Sequence, residues 1–147
     1  MSLYRHLLVA VDLDPCGREV LSRAQQLART FDARLSVLHV VEYIPIESGE
    51  LLMTAPVDLT LQLEKQSREQ LEALCAEYAI PASDAHVATG PVTPQIRQIA
   101  ENLQVDLIVL GHHPRRGLAA WFNHTEENVV TRANCDVLAL RVERTTG

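Results

Sequence analysis

The chain has 147 residues, 47% of them hydrophobic and 22% charged, which suits one globular domain with one core. A formal charge of −6 opposes nucleic acid and anionic membrane, and 4% aromatic content leaves little for stacking single-stranded bases. Three dispersed cysteines (Cys16, Cys75 and Cys135) form no CxxC pair, which argues against a zinc ribbon or a secreted disulfide framework.

Residues 6–11 form a continuous apolar run ending at Asp12, the pattern of a central parallel strand covered on both faces. Arg5, His6 and Asp12 interrupt the opening stretch and no small-residue cleavage site follows, so it reads as a strand and not a signal peptide. Asp12, Asp14 and Pro15 supply helix-start chemistry. Val20, Leu21, Ala24, Leu27, Ala28 and Phe31 then recur at helical spacing. Residues 35–41 predict the second strand, and Pro45, Ser48, Gly49 and Pro56 mark a loop. A helix follows over about 58–78, with Leu59, Leu63, Leu71, Leu74 and Cys75 on its inner face, stopped by Ile80-Pro81.

Residues 85–89 predict a third strand, closed by Gly90-Pro91. A helix from Thr93-Pro94 carries Ile96, Ile99, Ala100 and Leu103. Residues 105–110 are the fourth strand, ending at Gly111. A polar, basic loop runs from His112 to about Thr125, then a short helix turns Val129, Val130 and Ala133 inward. The last strand covers 136–142, from Asp136 onward, and the tail from Arg144 frays. This alternation predicts a single doubly wound α/β domain over 1–147, with a five-stranded parallel sheet and helices on both faces. No stretch approaches the ~20 apolar residues that span a bilayer, so a soluble, cytoplasmic chain without membrane or nucleic-acid partners is expected.

In such sheets ligands bind beyond the carboxyl ends of the strands. That draws attention to Asp12 to Asp14, to Val40 to Glu42, and to Gly111 onward. No GxxxxGK[ST], GxGxxG, GxSxG or HExxH motif is present, so the residues support no hydrolase or metalloprotease reading.

Several segments together resemble the universal stress protein family along nearly the full chain. Leu8-Val9-Ala10-Val11-Asp12 is similar to its first strand, and Leu38-His39-Val40-Val41 to its second. Val105-Asp106-Leu107-Ile108-Val109-Leu110-Gly111 resembles the opening of its signature, and Ala133-Asn134-Cys135-Asp136-Val137-Leu138 its final turn and strand. The resemblance implies the adenine nucleotide alpha hydrolase-like fold. It also implies a non-enzymatic stress-response role as a homodimer joined by antiparallel contact of the last strand, with an unidentified protein partner possible.

The family's ATP-binding class carries a glycine, two residues, a glycine, nine residues, then a glycine and a serine or threonine. Here the first glycine is Gly111, but Pro114 and His124 stand at the other two, and only Thr125 keeps the hydroxyl. Pro114 offers no amide to a phosphate. Gly111-His112-His113 resembles the class that does not bind ATP, so no cofactor is expected. The alternative is an adenine-nucleotide sensor binding ATP or AMP with magnesium. In it Asp12 and the Val40 backbone meet the adenosine, and Gly111, His124 and Thr125 the phosphates, aided by Arg115 or Arg116.

Each residue singled out has a plainer reading. Asp12 either orders an adenosine or caps the next helix. His39, inside an apolar strand, reads as a hydrogen-bonded core histidine. His112, His113 and His124 lack ligand spacing on a helix, so no metal site is expected. Trp121 and Phe122 anchor their loop by packing, and Cys16 is inert.

Overall fold

The computed structural model describes residues 3–42, 56–112, 129 and 133–142. Five strands, β1 (His6–Ala10), β2 (Arg34–Glu42), β3 (Ala85–Gly90), β4 (Leu107–His112) and β5 (Asp136–Arg141), form one parallel sheet in the order β3-β2-β1-β4-β5. Among the described residues, the helices α1 (Pro15–Phe31), α2 (Pro56–Glu77) and α3 (Val92–Asn102) cross between strands. The order reverses between β1 and β4, which makes their carboxyl ends the topological switch point.

Alternation along the strands builds two cores. Leu7, Val9, Val37, Leu107, Val109 and Leu140 point toward α1 and α2, where they meet Val20, Leu21, Ala24, Leu71, Leu74 and Cys75. Leu8, Leu38, Ile108 and Leu110 point the other way, against Ile96 and Ala100 of α3 and the helical Val129. Each fully buried leucine contributes about 2 kcal/mol. β1 is covered on both faces, as its unbroken apolar run requires.

α2 corrects the expected face. Leu71, Leu74 and Cys75 are buried, but Leu59 and Leu63 are 56% and 41% exposed. The helix has 22 residues, about 33 Å of length, against about 20 Å for a six-residue strand. Thr89, near the carboxyl end of β3, donates its hydroxyl to Glu64. Among the described residues, the turns before Glu64 overhang the sheet and have no core beneath them.

All three helices end alike. Asp32, Ala79 and Gln104 adopt φ of 54°, 58° and 55°. The following residues, Ala33, Ile80 and Val105, donate their amides to Ala28, Cys75 and Ala100 at 2.8, 2.9 and 2.9 Å. This left-handed exit satisfies the last carbonyls of each helix and tucks in an apolar residue. α2 thus stops at Glu77 through Ala79, ahead of the expected Ile80-Pro81.

At the amino ends of the strands, Asp106 accepts the amides of Arg5 (2.9 Å) and His6 (3.0 Å). Burial works against its charge, yet these amides win and hold its carboxyl below the usual range. His6 Nδ1 lies 3.2 Å from the Leu103 carbonyl, so that nitrogen donates. Nε2 then accepts from the Ser36 hydroxyl at 2.7 Å.

Candidate functional site

The site that the topology indicates is the mouth beyond the carboxyl ends of β1, β2 and β4. The first strand hands over to α1 within a few residues. Asp14 is extended (φ −135°, ψ 177°) and caps the helix, accepting the Gly17 amide at 2.9 Å, with Pro15 in the first turn. Asp12 is therefore not the cap: its side chain is exposed. Its backbone is fixed instead, because a Cβ added to Gly17 would stand 1.8 Å from the Asp12 carbonyl oxygen. Sequence reasoning did not single out Gly17, and the available signal was a glycine inside the first turn of a helix, where it is otherwise unfavourable.

Val11 donates its amide to Leu38 at 2.9 Å. One residue further the ladder changes. The Val11 carbonyl accepts from His39 Nδ1 at 2.8 Å. His39 is hydrogen-bonded, as its plain reading expects, but it is half-buried and lies outside both cores, and its work is to close β1. In a continued parallel ladder that carbonyl would take the Val40 amide. Among the described residues the Val40 amide has no backbone partner on that side, while the Val40 side chain packs into the α3 core.

Gly111 lies within β4, half-buried and in register with Leu140, and His112 pairs with Arg141. β4 thus runs two residues past 110, its expected end. His113, Pro114, Arg115, Arg116, Trp121, Phe122, His124, Thr125 and Val130 lie outside the described residues, as do residues 43–55 and the tail. So the structure brings Asp12, Val40 and Gly111 to one mouth and does not describe the remaining candidates.

Among the described residues no three His, Cys, Asp or Glu side chains converge as a metal site. Cys16 and Cys75 are buried, and burial pushes the Cys75 thiol up to about 11, so it stays protonated. At the start of α1 the Asp14 carboxylate already holds the Gly17 amide.

Comparison with known proteins gives the decisive observation: the profile of the universal stress protein family matches residues 3–141. The chain belongs to that family. Universal stress protein A homolog 1 of Coxiella burnetii is 36% identical over 138 residues, 93% of this chain and 96% of that one. A crystal structure of a putative universal stress protein from Pseudomonas aeruginosa UCBPP-PA14 superposes with TM-score 0.70 at 26% identity. That match covers 93% of this chain and 47% of the Pseudomonas chain, so this universal stress protein spans about half the length of that relative. A universal stress protein solved in complex with cAMP shares the fold, with TM-score 0.66 at 20% identity over 95% of this chain and 98% of that one. The doubly wound architecture is the one the family resemblance implied. Among the described residues no helix is long and apolar enough to cross a membrane.

Proposed function

We propose that this universal stress protein acts in the cytoplasm as a homodimeric, non-enzymatic stress-response factor that does not depend on ATP. The observation carrying the reading is at the mouth. Asp14 occupies the Gly17 amide in the first turn of α1, and Asp12 stands exposed two residues before it. A helix start commonly receives phosphate, and here it receives the protein's own anion. Pro114 and His124, in place of two family glycines, point the same way. Dimerisation through β5 is supported by its place at the sheet edge, where backbone groups are available for pairing.

The second reading is an adenine-nucleotide sensor. It is favoured by the Val40 amide facing the mouth next to Asp12, and by the likeness to the cAMP-bound protein. Gly111, His124 and Thr125 would then meet the phosphates.

Titration calorimetry with ATP and AMP in the presence of magnesium, on protein freed of copurified nucleotide, separates the two. The first reading expects neither heat nor thermal stabilisation at millimolar nucleotide; ligand at 100 times its Kd stabilises by about 2.7 kcal/mol, which a melting curve detects. Micromolar binding that is lost in Asp12→Ala and in Thr125→Ala overturns it and establishes the sensor.

A further inference from the structure

β3 is an edge strand of the sheet and pairs with β2 alone, and its two ends are held unequally. At the carboxyl end Thr89 donates its hydroxyl to Glu64 of α2. At the amino end the 3₁₀ turn Ala82–Asp84 buries no residue. There Asp84 accepts from Arg34 Nη2 at 2.9 Å, with the arginine 61% exposed, and an ion pair so placed holds weakly. Ala85 is buried, but the four residues after it are only half-buried. His86 lies in this weakly held end. Its register with Leu38 puts the ring on the α3 face of the sheet, where the residues that α3 contributes to the core are apolar. Its Nε2 is buried with no hydrogen-bond partner.

We propose that His86 is an acid-operated release for this edge: a proton on its ring detaches the amino half of β3, with the 3₁₀ turn before it, from β2 while the rest of the sheet stays paired. An imidazolium carries an N–H on both nitrogens, so whichever tautomer is neutral, the proton leaves Nε2 a buried donor without an acceptor. Of the charges around the ring, Asp84 favours the proton, while Arg34 of β2 and Arg68 of α2 oppose it. Arg34 already engages the Asp84 carboxylate, so the one favourable charge is shared. His6 faces the same side from β1, but its ring nitrogens lie against the Leu103 carbonyl and the Ser36 hydroxyl. An edge strand has one ladder to break, and moving its amino half outward brings Nε2 to water. The Glu64 contact keeps the carboxyl half in place, so the opening is local. Burial above all holds the ring below its ordinary 6.5 in the paired form, whereas the released form takes the proton near that value. Release therefore sets in as pH falls through about 6.5.

Amide hydrogen exchange followed by NMR at about pH 7.5 and about pH 5.5, corrected for the intrinsic rate, reads the release. The ladder defines the reporters. Val11 donating to Leu38 turns Leu38 and Val40 toward β1, so Val37 and His39 turn toward β3. That puts the His86 amide on the Val37 carbonyl and the His39 amide on the His86 carbonyl. Between the two pH values these amides should lose protection at least about three-fold more than those of Leu8 and Val9 in β1. His86→Leu removes the titrating ring and should abolish the difference. A loss shared equally by β1 and β3, or a β3 loss that persists in His86→Leu, overturns the proposal. Where that variant disturbs folding, the His86 ring resonances of the unsubstituted protein carry the test. Their midpoint should lie below about 6.5 and track the loss of β3 protection; a midpoint at or above about 6.5, or one unrelated to that loss, overturns the proposal as well.

Discussion

His39 stands in for a backbone amide: its Nδ1 donates to the Val11 carbonyl at 2.8 Å, and the strand pairing between β1 and β2 stops there. Without that ring the carbonyl keeps neither a ladder partner nor the side-chain donor. Replacing His39 with leucine keeps the bulk and removes the donor. It should cost about 1–3 kcal/mol in urea unfolding. A loss within ~0.5 kcal/mol would mean that water or the Val40 amide restores the bond.

The two halves of α2 should respond differently to truncation. Leu71 is fully buried, so Leu71→Ala should cost about 2–5 kcal/mol. Leu63 overhangs the sheet, and Leu63→Ala should stay within about 0.5 kcal/mol. Equal losses at both positions would show that the overhanging turns are covered in solution.

The left-handed helix exits offer a stabilising change. Ala79 has φ 58° with a Cβ to accommodate, while glycine adopts that conformation freely. Ala79→Gly should raise stability by about 0.5–1 kcal/mol, measured by the midpoint of denaturant unfolding at an unchanged slope. A decrease would show that the methyl group contributes more than the strain it causes.

Acid should weaken the fold before its carboxylates titrate. Burial, then the charge of Arg34, lowers His6 against its ordinary 6.5, the Leu103 carbonyl, Asp84 and Asp106 opposing. His86 is lowered mainly by burial, opposed by Asp84 and reinforced by Arg34 and Arg68, and its Nε2 is buried with no hydrogen-bond partner. Both groups bind protons more readily when unfolded. Their contribution to stability is present above about pH 6.5 and is lost as pH falls through the lowered folded values. Unfolding free energy should therefore decline from pH 7 to pH 5, and His86→Leu should make that decline shallower. A decline of unchanged slope in the variant would assign the effect elsewhere.

The sequence carried the architecture well and the local detail unevenly. The apolar run over residues 6–11 marked a strand covered on both faces, and the alternation of strands with helices implied the layering, while the order of strands within the sheet comes from the structure. The helix exits did not: Asp32, Ala79 and Gln104 carry no glycine, and only the returning amide of the next residue defines them. Leu59 and Leu63 fit the inner spacing of α2, yet spacing cannot say where the sheet beneath ends. At the site, two aspartates near the start of α1 were equivalent on paper. The close approach of Gly17 to the Asp12 carbonyl separates them, since it fixes the loop so that Asp14 reaches the helix amide. Arg23, whose Nη1 donates to the Arg141 carbonyl at 2.9 Å, carried no signal at all, because that partner is a backbone carbonyl far along the chain.

That contact between Gly17 and Asp12 also bears on recognition. A binding loop that must first be ordered loses affinity to the conformational entropy of ordering it. Here the backbone on either side of the exposed Asp12 carboxylate is already held, by the α-carbon of Gly17 on one side and by the ladder bond from the Val11 amide to Leu38 on the other. A molecule arriving at the mouth meets a preset carboxylate and immobilises only itself.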